Sequence, residues 1–379
     1  MQMSANARMR RLWLNIHLWL GIGLCLLLVP IGLSGSLLVW HDHLDALVNP
    51  ARYAVTRGEA LPPSVLVASA SSALGAGYQP VAVRLPESPG WPATVLARQP
   101  RGEQAAGRPR VLTVYLDPPT GRALDVAEFR NSLIGFLHRF HENLTIPEYS
   151  GRAVVGWAGV AMLILSLSGI YLWWPRNGGF LRGLRWRRGP TISLNLHHAL
   201  GFWIALPLAV VSATGIYLGF PQPGRELLSS VAPMTPQQRG AFNAPPMRQT
   251  NLNFDSALAA ALGAEADAMP AAIFVPTQAT RAWRVQLRVA GTAGITTVMV
   301  DDQSGAARKL TPLSGDRVAS WIRWIHDGSN TGPVWQVLVF VTGLVPAAFA
   351  VTGVMIWLRK RRSRMPRATR GLPQLDAAE

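Results

Sequence analysis

The stretch Asn195-Leu196-His197-His198-Ala199-Leu200-Gly201 puts a histidine at the head of a long apolar run. The same phrase stands 180 positions earlier as Asn15-Ile16-His17-Leu18-Trp19-Leu20-Gly21. A small-residue pair follows each copy, Ser34-Gly35 in the first and Thr214-Gly215 in the second. In both copies the histidine precedes the far glycine by 18 residues, which is five whole turns of a helix, so the two share one face. Gly21 and Gly201, four residues after their histidines, lie close to that face as well. A face with a histidine at one end and no side chain at two further points has room for something flat and bulky.

Around this phrase the chain is apolar. Of its 379 residues 49% are hydrophobic and only 15% charged, too few charges for an ordinary soluble domain. Residues 12–41, 153–175, 189–224 and 328–358 contain no Asp, Glu, Lys or Arg, and each exceeds the roughly 20 residues a helix needs to cross a bilayer. Four transmembrane helices are expected. The formal charge of +16 is distributed accordingly. Arg8, Arg10 and Arg11 precede the first span. Arg176, Arg182, Arg185, Arg187 and Arg188 separate the second from the third, and seven more basic residues follow the fourth between Arg359 and Arg370. All three segments fall on one side of a four-span topology, which the positive-inside rule makes cytoplasmic. The charge therefore reads as an orientation signal, with no nucleic-acid partner expected.

The single cysteine, Cys25, lies in mid-span and excludes an intramolecular disulfide, a cysteine-held iron–sulfur cluster and covalent haem attachment. The first span is too long for a signal-peptide core and lacks a convincing Ala-x-Ala site, so it is expected to stay as an anchor. With both ends inside, the two long intervening stretches are extracytoplasmic. The first contains the strand Val111-Leu-Thr-Val-Tyr-Leu116 and the turn Asp117-Pro-Pro-Thr-Gly121. The second contains strands at 282–289 and 295–300 and the turn Asp301-Asp-Gln-Ser-Gly305. Helices are expected at 255–262 and, more weakly, at 64–74. Thr113–Asp117 matches Thr297–Asp301 at an offset of 184, as Leu167-Ser168-Gly169 matches Val351-Thr352-Gly353. Aligning Ser132–His138 with Ser320–His326 requires 188. The chain reads as a duplication of helix, α+β unit, histidine motif and helix. Both repeats start and finish on the same side, which makes them parallel.

Two matched pairs of histidines result, His17 with His197 near the cytoplasmic ends and His138 with His326 near the outer ends. A lone histidine at a helix end is usually a capping or packing residue. Two symmetry-matched pairs, in spans without carboxylates, suit an iron porphyrin held from both sides. Gly21, Gly35, Gly201 and Gly215 could allow its close approach. Arg10, Arg11 and Arg188 inside, and Arg139 and Arg323 outside, are candidates for its propionates. His141, three residues after His138, could serve instead as the outer ligand, and His198 is an alternate to His197. His41 and His43 have no partners in the second half and read as interfacial. The tryptophans near span ends, Trp40, Trp173, Trp174, Trp186, Trp324 and Trp357, read as membrane-belt anchors. Phosphate-loop, dinucleotide, His-Glu-x-x-His and Gly-x-Ser-x-Gly motifs are all missing from the sequence.

His-Leu-Trp-Leu-Gly at 17–21, Leu-His-Arg at 137–139, Leu-His-x-x-Leu-Gly at 196–201, Ile-His-Asp-Gly at 325–328 and Tyr-Leu-Asp-Pro-x-Thr-Gly at 115–121 together resemble the PepSY-associated transmembrane proteins. The resemblance implies an α-helical integral membrane protein of the bacterial inner membrane, its four helices in two parallel repeats, bearing two periplasmic α+β PepSY-like units. The expected boundaries are 1–41, 42–148, 149–175, 176–192, 193–220, 221–331, 332–358 and 359–379, alternating span-bearing or cytoplasmic segments with the two units. Members linked to iron uptake reduce ferric siderophores, which implies two non-covalent b-type haems on His17, His138, His197 and His326. Some relatives carry a fused cytoplasmic reductase-like domain. None is expected here, so the electron would come from a quinol or a separate cytoplasmic reductase. Two further readings are a PepSY-type tethered module that restrains a peptidase, and haem electron transfer to a different periplasmic acceptor.

Overall fold

The structure, a computed structural model, describes residues 4–75, 77–99, 110–175, 180–186, 189–236, 244–265, 267–291 and 294–364. Its helices are α1 (Ala5–Val39), α2 (His41–Val48), α3 (Pro63–Leu74), α4 (Leu133–Asn143), α5 (Gly151–Trp173), α6 (Phe180–Gly183), α7 (Ile192–Gly219), α8 (Pro221–Ser229), α9 (Phe254–Gly263), α10 (Ser314–Asp327) and α11 (Pro333–Arg364). Its strands are β1 (Gln79–Arg84), β2 (Ala93–Arg98), β3 (Val111–Leu116), β4 (Ala123–Ala127), β5 (Ala268–Phe274), β6 (Ala282–Val289), β7 (Thr296–Asp301) and β8 (Ala307–Leu310).

Four of the helices, α1, α5, α7 and α11, are long and apolar enough to cross a membrane, as the charge-free stretches predict. Ser4 accepts a bond from the Ala7 amide at the head of α1, and Thr191 accepts one from Leu194 at the head of α7. Pro30, Pro207 and Pro346 lie inside these helices, where neighbouring spans make such breaks tolerable. The spans meet through small residues. A Cβ placed on Gly219 of α7 would stand 2.7 Å from the Gly156 backbone of α5, and one on Gly32 of α1 would stand 2.6 Å from the Gly343 carbonyl of α11. Without a hydrophobic force between helices in lipid, such backbone proximity is what holds a bundle together. The described residues of 40–150 and 220–332 leave from one end of the bundle; the described basic residues at 8–11 and 359–363 lie at the other.

The two extramembrane stretches form one domain, where the sequence suggested two units. Their strands make a single antiparallel sheet in the order β4-β3-β2-β1-β5-β6-β7-β8. β1 and β5 join the halves, with Val83 opposite Ile273. The physical reason is the edge: two separate four-stranded sheets would leave β1 and β5 as open edge strands, and pairing β1 with β5 closes both of these. One register row runs Val114–Val95–Val83–Ile273–Val285–Val298, with every member buried, and α3 and α9 cover it. Six β-branched side chains in one cross-strand row make a well-packed core for so small a sheet. The helix expected weakly at 64–74 is present as α3, capped by Pro at its first positions in place of a side-chain cap.

Candidate functional site: two histidine couples between four spans

His17 on α1 and His197 on α7 face one another with ring centres 6.3 Å apart and planes at 84°. Each is held from behind by a neighbouring span. Nδ1 of His17 lies 2.8 Å from the Ser168 hydroxyl on α5, and Nδ1 of His197 lies 2.9 Å from the Thr352 hydroxyl on α11. Both hydroxyls already donate to their own helix, Ser168 to the Leu165 carbonyl and Thr352 to that of Ala348. They therefore accept from the imidazoles, which carry the proton on Nδ1 and keep the Nε2 lone pair free. The residue after each hydroxyl is a glycine. A Cβ on Gly169 would lie 3.4 Å from Cε1 of His17, and one on Gly353 would lie 3.8 Å from Cε1 of His197. Phe349 closes the side of His197, with ring centres 5.0 Å apart.

The same device recurs toward the other end of the bundle with different histidines. His141 on α4 and His326 on α10 stand 6.1 Å apart between ring centres, their planes at 42°. Nδ1 of His141 donates to the Ile31 carbonyl of α1 at 3.0 Å, with the Ser34 hydroxyl at 3.4 Å. Nδ1 of His326 donates to the Val211 carbonyl of α7 at 3.0 Å, with the Thr214 hydroxyl at 3.3 Å. Glycines again make the room: a Cβ on Gly35 would lie 2.7 Å from Cε1 of His141, and one on Gly215 would lie 2.9 Å from Cε1 of His326. Gly35 and Gly215 thus seat imidazole rings and not a flat ligand. Gly21 looks toward Leu165 at 3.7 Å, while a Cβ on Gly201 would meet no described atom within 4 Å.

The expected pairing of His138 with His326 is corrected. His138 points away from the couple, its ring 6.0 Å from that of His41 and 5.8 Å from that of Phe129. The offsets carried the signal. His141 precedes His326 by 185 residues, in step with the 184 of the flanking strand and span, whereas His138 requires 188. At a repeat offset of 185 the counterpart of His138 is Arg323. The two histidines lie one turn apart on an amphipathic helix, and the 188 alignment took the wrong one. His198 is half-buried beside its neighbour and does not form the couple. Of the arginines, Arg10 donates to the Leu172 carbonyl at 3.0 Å and Arg139 to the Arg130 carbonyl at 2.5 Å, while Arg11 and Arg323 are exposed. Arg188 lies outside the described residues.

The donor set decides which group these couples fit. An imidazole nitrogen lies about 1.1 Å from its ring centre and a metal–nitrogen bond is about 2.0–2.1 Å, so two imidazoles on opposite sides of one metal stand about 6.3 Å apart. The two couples stand at 6.3 and 6.1 Å. Among the described residues no three His, Cys, Asp or Glu side chains gather to hold an ion. A structural zinc site needs four such donors. Two axial nitrogens suffice where a macrocycle supplies the equatorial four, so the residues fit haem. The His41–His138 contact has a similar spacing but no glycine seat, and His41 Nε2 there faces the Asp42 carboxylate at 3.3 Å.

The model of the PepSY-associated TM region matches residues 14–360, which takes in all four spans, both couples and the sheet. The chain belongs to this family. No curated protein matches it. Membership in the PepSY-associated TM family accords with the four apolar helices and with a sheet domain carried outside them.

Proposed function

We propose that this PepSY-associated TM protein is an inner-membrane electron conduit that carries two b-type haems and reduces ferric siderophores on the periplasmic side. The observation that carries the reading is the pair of histidine couples, each with Nδ1 tied back and Nε2 left free. When bound, haem supplies one-electron exchange at its iron, which no side chain in the spans offers. The chain's own residues do the rest. Ser168, Thr352 and the Ile31 and Val211 carbonyls fix tautomer and ring orientation, the outer-shell role that raises ligand basicity. The basic segments support an orientation with the termini in the cytoplasm and the sheet in the periplasm. His17 and Gly35 are 18 residues apart on α1, about 27 Å along the helix, so the couples lie toward opposite faces of a hydrocarbon layer of roughly 30 Å. One electron from a quinol or a cytoplasmic reductase would convert ferric to ferrous iron. Hard siderophore oxygens bind the ferrous ion far less tightly, and it leaves.

The test is direct. Purified protein should be red, with a low-spin spectrum that shifts on reduction and two haems per chain. Mixed in stopped flow with a panel of ferric chelates, the reduced protein should be reoxidised by at least one ligand class. Colourless protein, expressed with haem available, would sink the conduit. A red protein that no ferric chelate reoxidises would move the acceptor to some other periplasmic partner.

A further inference from the structure

α3 and α9 cover one face of the sheet, and the connection that follows α1 packs on the other. Tyr115 marks it: Arg52, on the 3-10 turn that follows α1 and α2, lies over the Tyr115 ring at 4.7 Å. Arg84 is on the same face, because Thr94 pairs with Tyr115 on one side and with Arg84 on the other. In the adjoining row Ala82 pairs with Phe274, and Phe274 with Arg284. Ala272 lies opposite Arg84 and completes a floor of two alanines and a phenylalanine between the guanidinium groups. Arg284 leans across this floor, its guanidinium carbon 4.0 Å over the Phe274 ring. Its Nε is buried and has no hydrogen-bond partner. Burial, with Arg84 nearby, lowers its pKa from the ordinary arginine value.

Four basic groups of the domain are ion-paired: Arg52 with Asp45 and Asp125, Arg110 with Glu128, Arg288 with Glu87 and Lys309 with Glu265. Arg84 and Arg284 take part in none of these pairs, and the one carboxylate in their two rows, Asp125, is bonded to Arg52. Two arginines thus stand on one face, Arg84 on β1 and Arg284 beyond its neighbour β5, beside small residues at the join of the halves. We infer that Arg84 and Arg284 form a binding site for an anionic ligand on the face of the sheet opposite α3 and α9. Guanidinium groups bind planar oxygen pairs bidentately, and two of them side by side suit a ligand with more than one anionic oxygen pair. On the functional reading above, on which the choice of ligand rests, that ligand is an anionic ferric chelate, presented to the His141/His326 end of the bundle.

The experiment measures binding to the oxidised, haem-loaded full chain, so it needs no electron transfer. The probes are an anionic ferric tris-catecholate and an uncharged or cationic ferric trihydroxamate, each followed by equilibrium dialysis at low and high salt. Arg84→Gln and Arg284→Gln should each weaken the tris-catecholate by about tenfold, the loss of one charge-assisted contact, and the double variant by more. The trihydroxamate should be unaffected, and wild-type binding of the tris-catecholate should fall with salt. Arg284→Lys, which keeps the charge, should recover part of the loss and separates binding from a folding defect. Wild-type affinity for the tris-catecholate in the double variant would overturn the site. Tight, arginine-dependent binding without haem reoxidation would instead keep the site and refute the reductase.

Discussion

The inner and outer couples use one device built from different parts. At the inner couple both histidines belong to spans, and each Nδ1 rests on a hydroxyl from a neighbouring span, Ser168 or Thr352. At the outer couple both histidines come from short helices outside the spans. They dock on α1 and α7, where each Nδ1 rests chiefly on a backbone carbonyl, Ile31 or Val211. The inner couple is thus a property of the bundle alone. The outer couple exists only where α4 and α10, which hang from the sheet domain, are seated against the spans. An extramembrane ligand that moves the sheet reaches the outer couple directly through α4 and α10.

The largest effects should come from the ligands, and they separate the two ends. On the two-haem proposal, His141→Ala is expected to remove about one of two haems per chain and leave the inner spectrum intact, and His197→Ala to do the reverse. His138→Ala should cost no haem. A pyridine haemochrome assay on the three variants decides the matter, and haem loss in His138→Ala would restore the pairing that the structure rejects. Next come the glycine seats. Gly35→Val and Gly215→Val place carbon within 3 Å of an outer imidazole and should empty the outer site. Gly169→Ala and Gly353→Ala, at 3.4 and 3.8 Å, should merely shift the inner spectrum. Equal losses at the two ends would show that the glycines serve packing in general.

Removing the hydroxyls sharpens the contrast further. Ser168→Ala and Thr352→Val leave an inner Nδ1–H without its acceptor, and haem affinity there should fall about 10–100-fold. Ser34→Ala should matter little, because the Ile31 carbonyl remains. Competitive haem transfer to a soluble acceptor protein, read at each site's band, measures both. The smallest effect concerns acid. Desolvation alone would raise the pKa of Asp117, but the Thr120 hydroxyl and the Thr56 amide and hydroxyl donate to it and hold it below the usual carboxylate range. With the folded value below the unfolded one, its contribution is full above the ordinary value of about 3.9 and is lost as pH falls through the folded value. Acid should therefore loosen the sheet's hold on the Thr56 segment. An Asp117→Asn variant should show a flatter acid limb in sheet circular dichroism; an unchanged limb would assign the acid response to other carboxylates.

Composition and periodicity alone determined the four spans, because a helix in lipid must be apolar along its length and the charges have only the ends to occupy. They also determined His17 and His197. Each lies on a span, and a span's direction and helical period leave its side chains little freedom of placement. Strands β3 and β6 were legible at their exact ends, Val111–Leu116 and Ala282–Val289, from their turns and β-branched residues. Tertiary structure alone decided the rest. His138 and His141 lie one turn apart on one short helix, and only docking against Ile31 and Gly35 selects His141. The join of β1 to β5 links residues about 190 positions apart, and no local pattern reports it. The glycines after each Ser or Thr showed that space was needed. What filled it, an imidazole edge from another helix, depended on the crossing of two elements that the sequence records only separately.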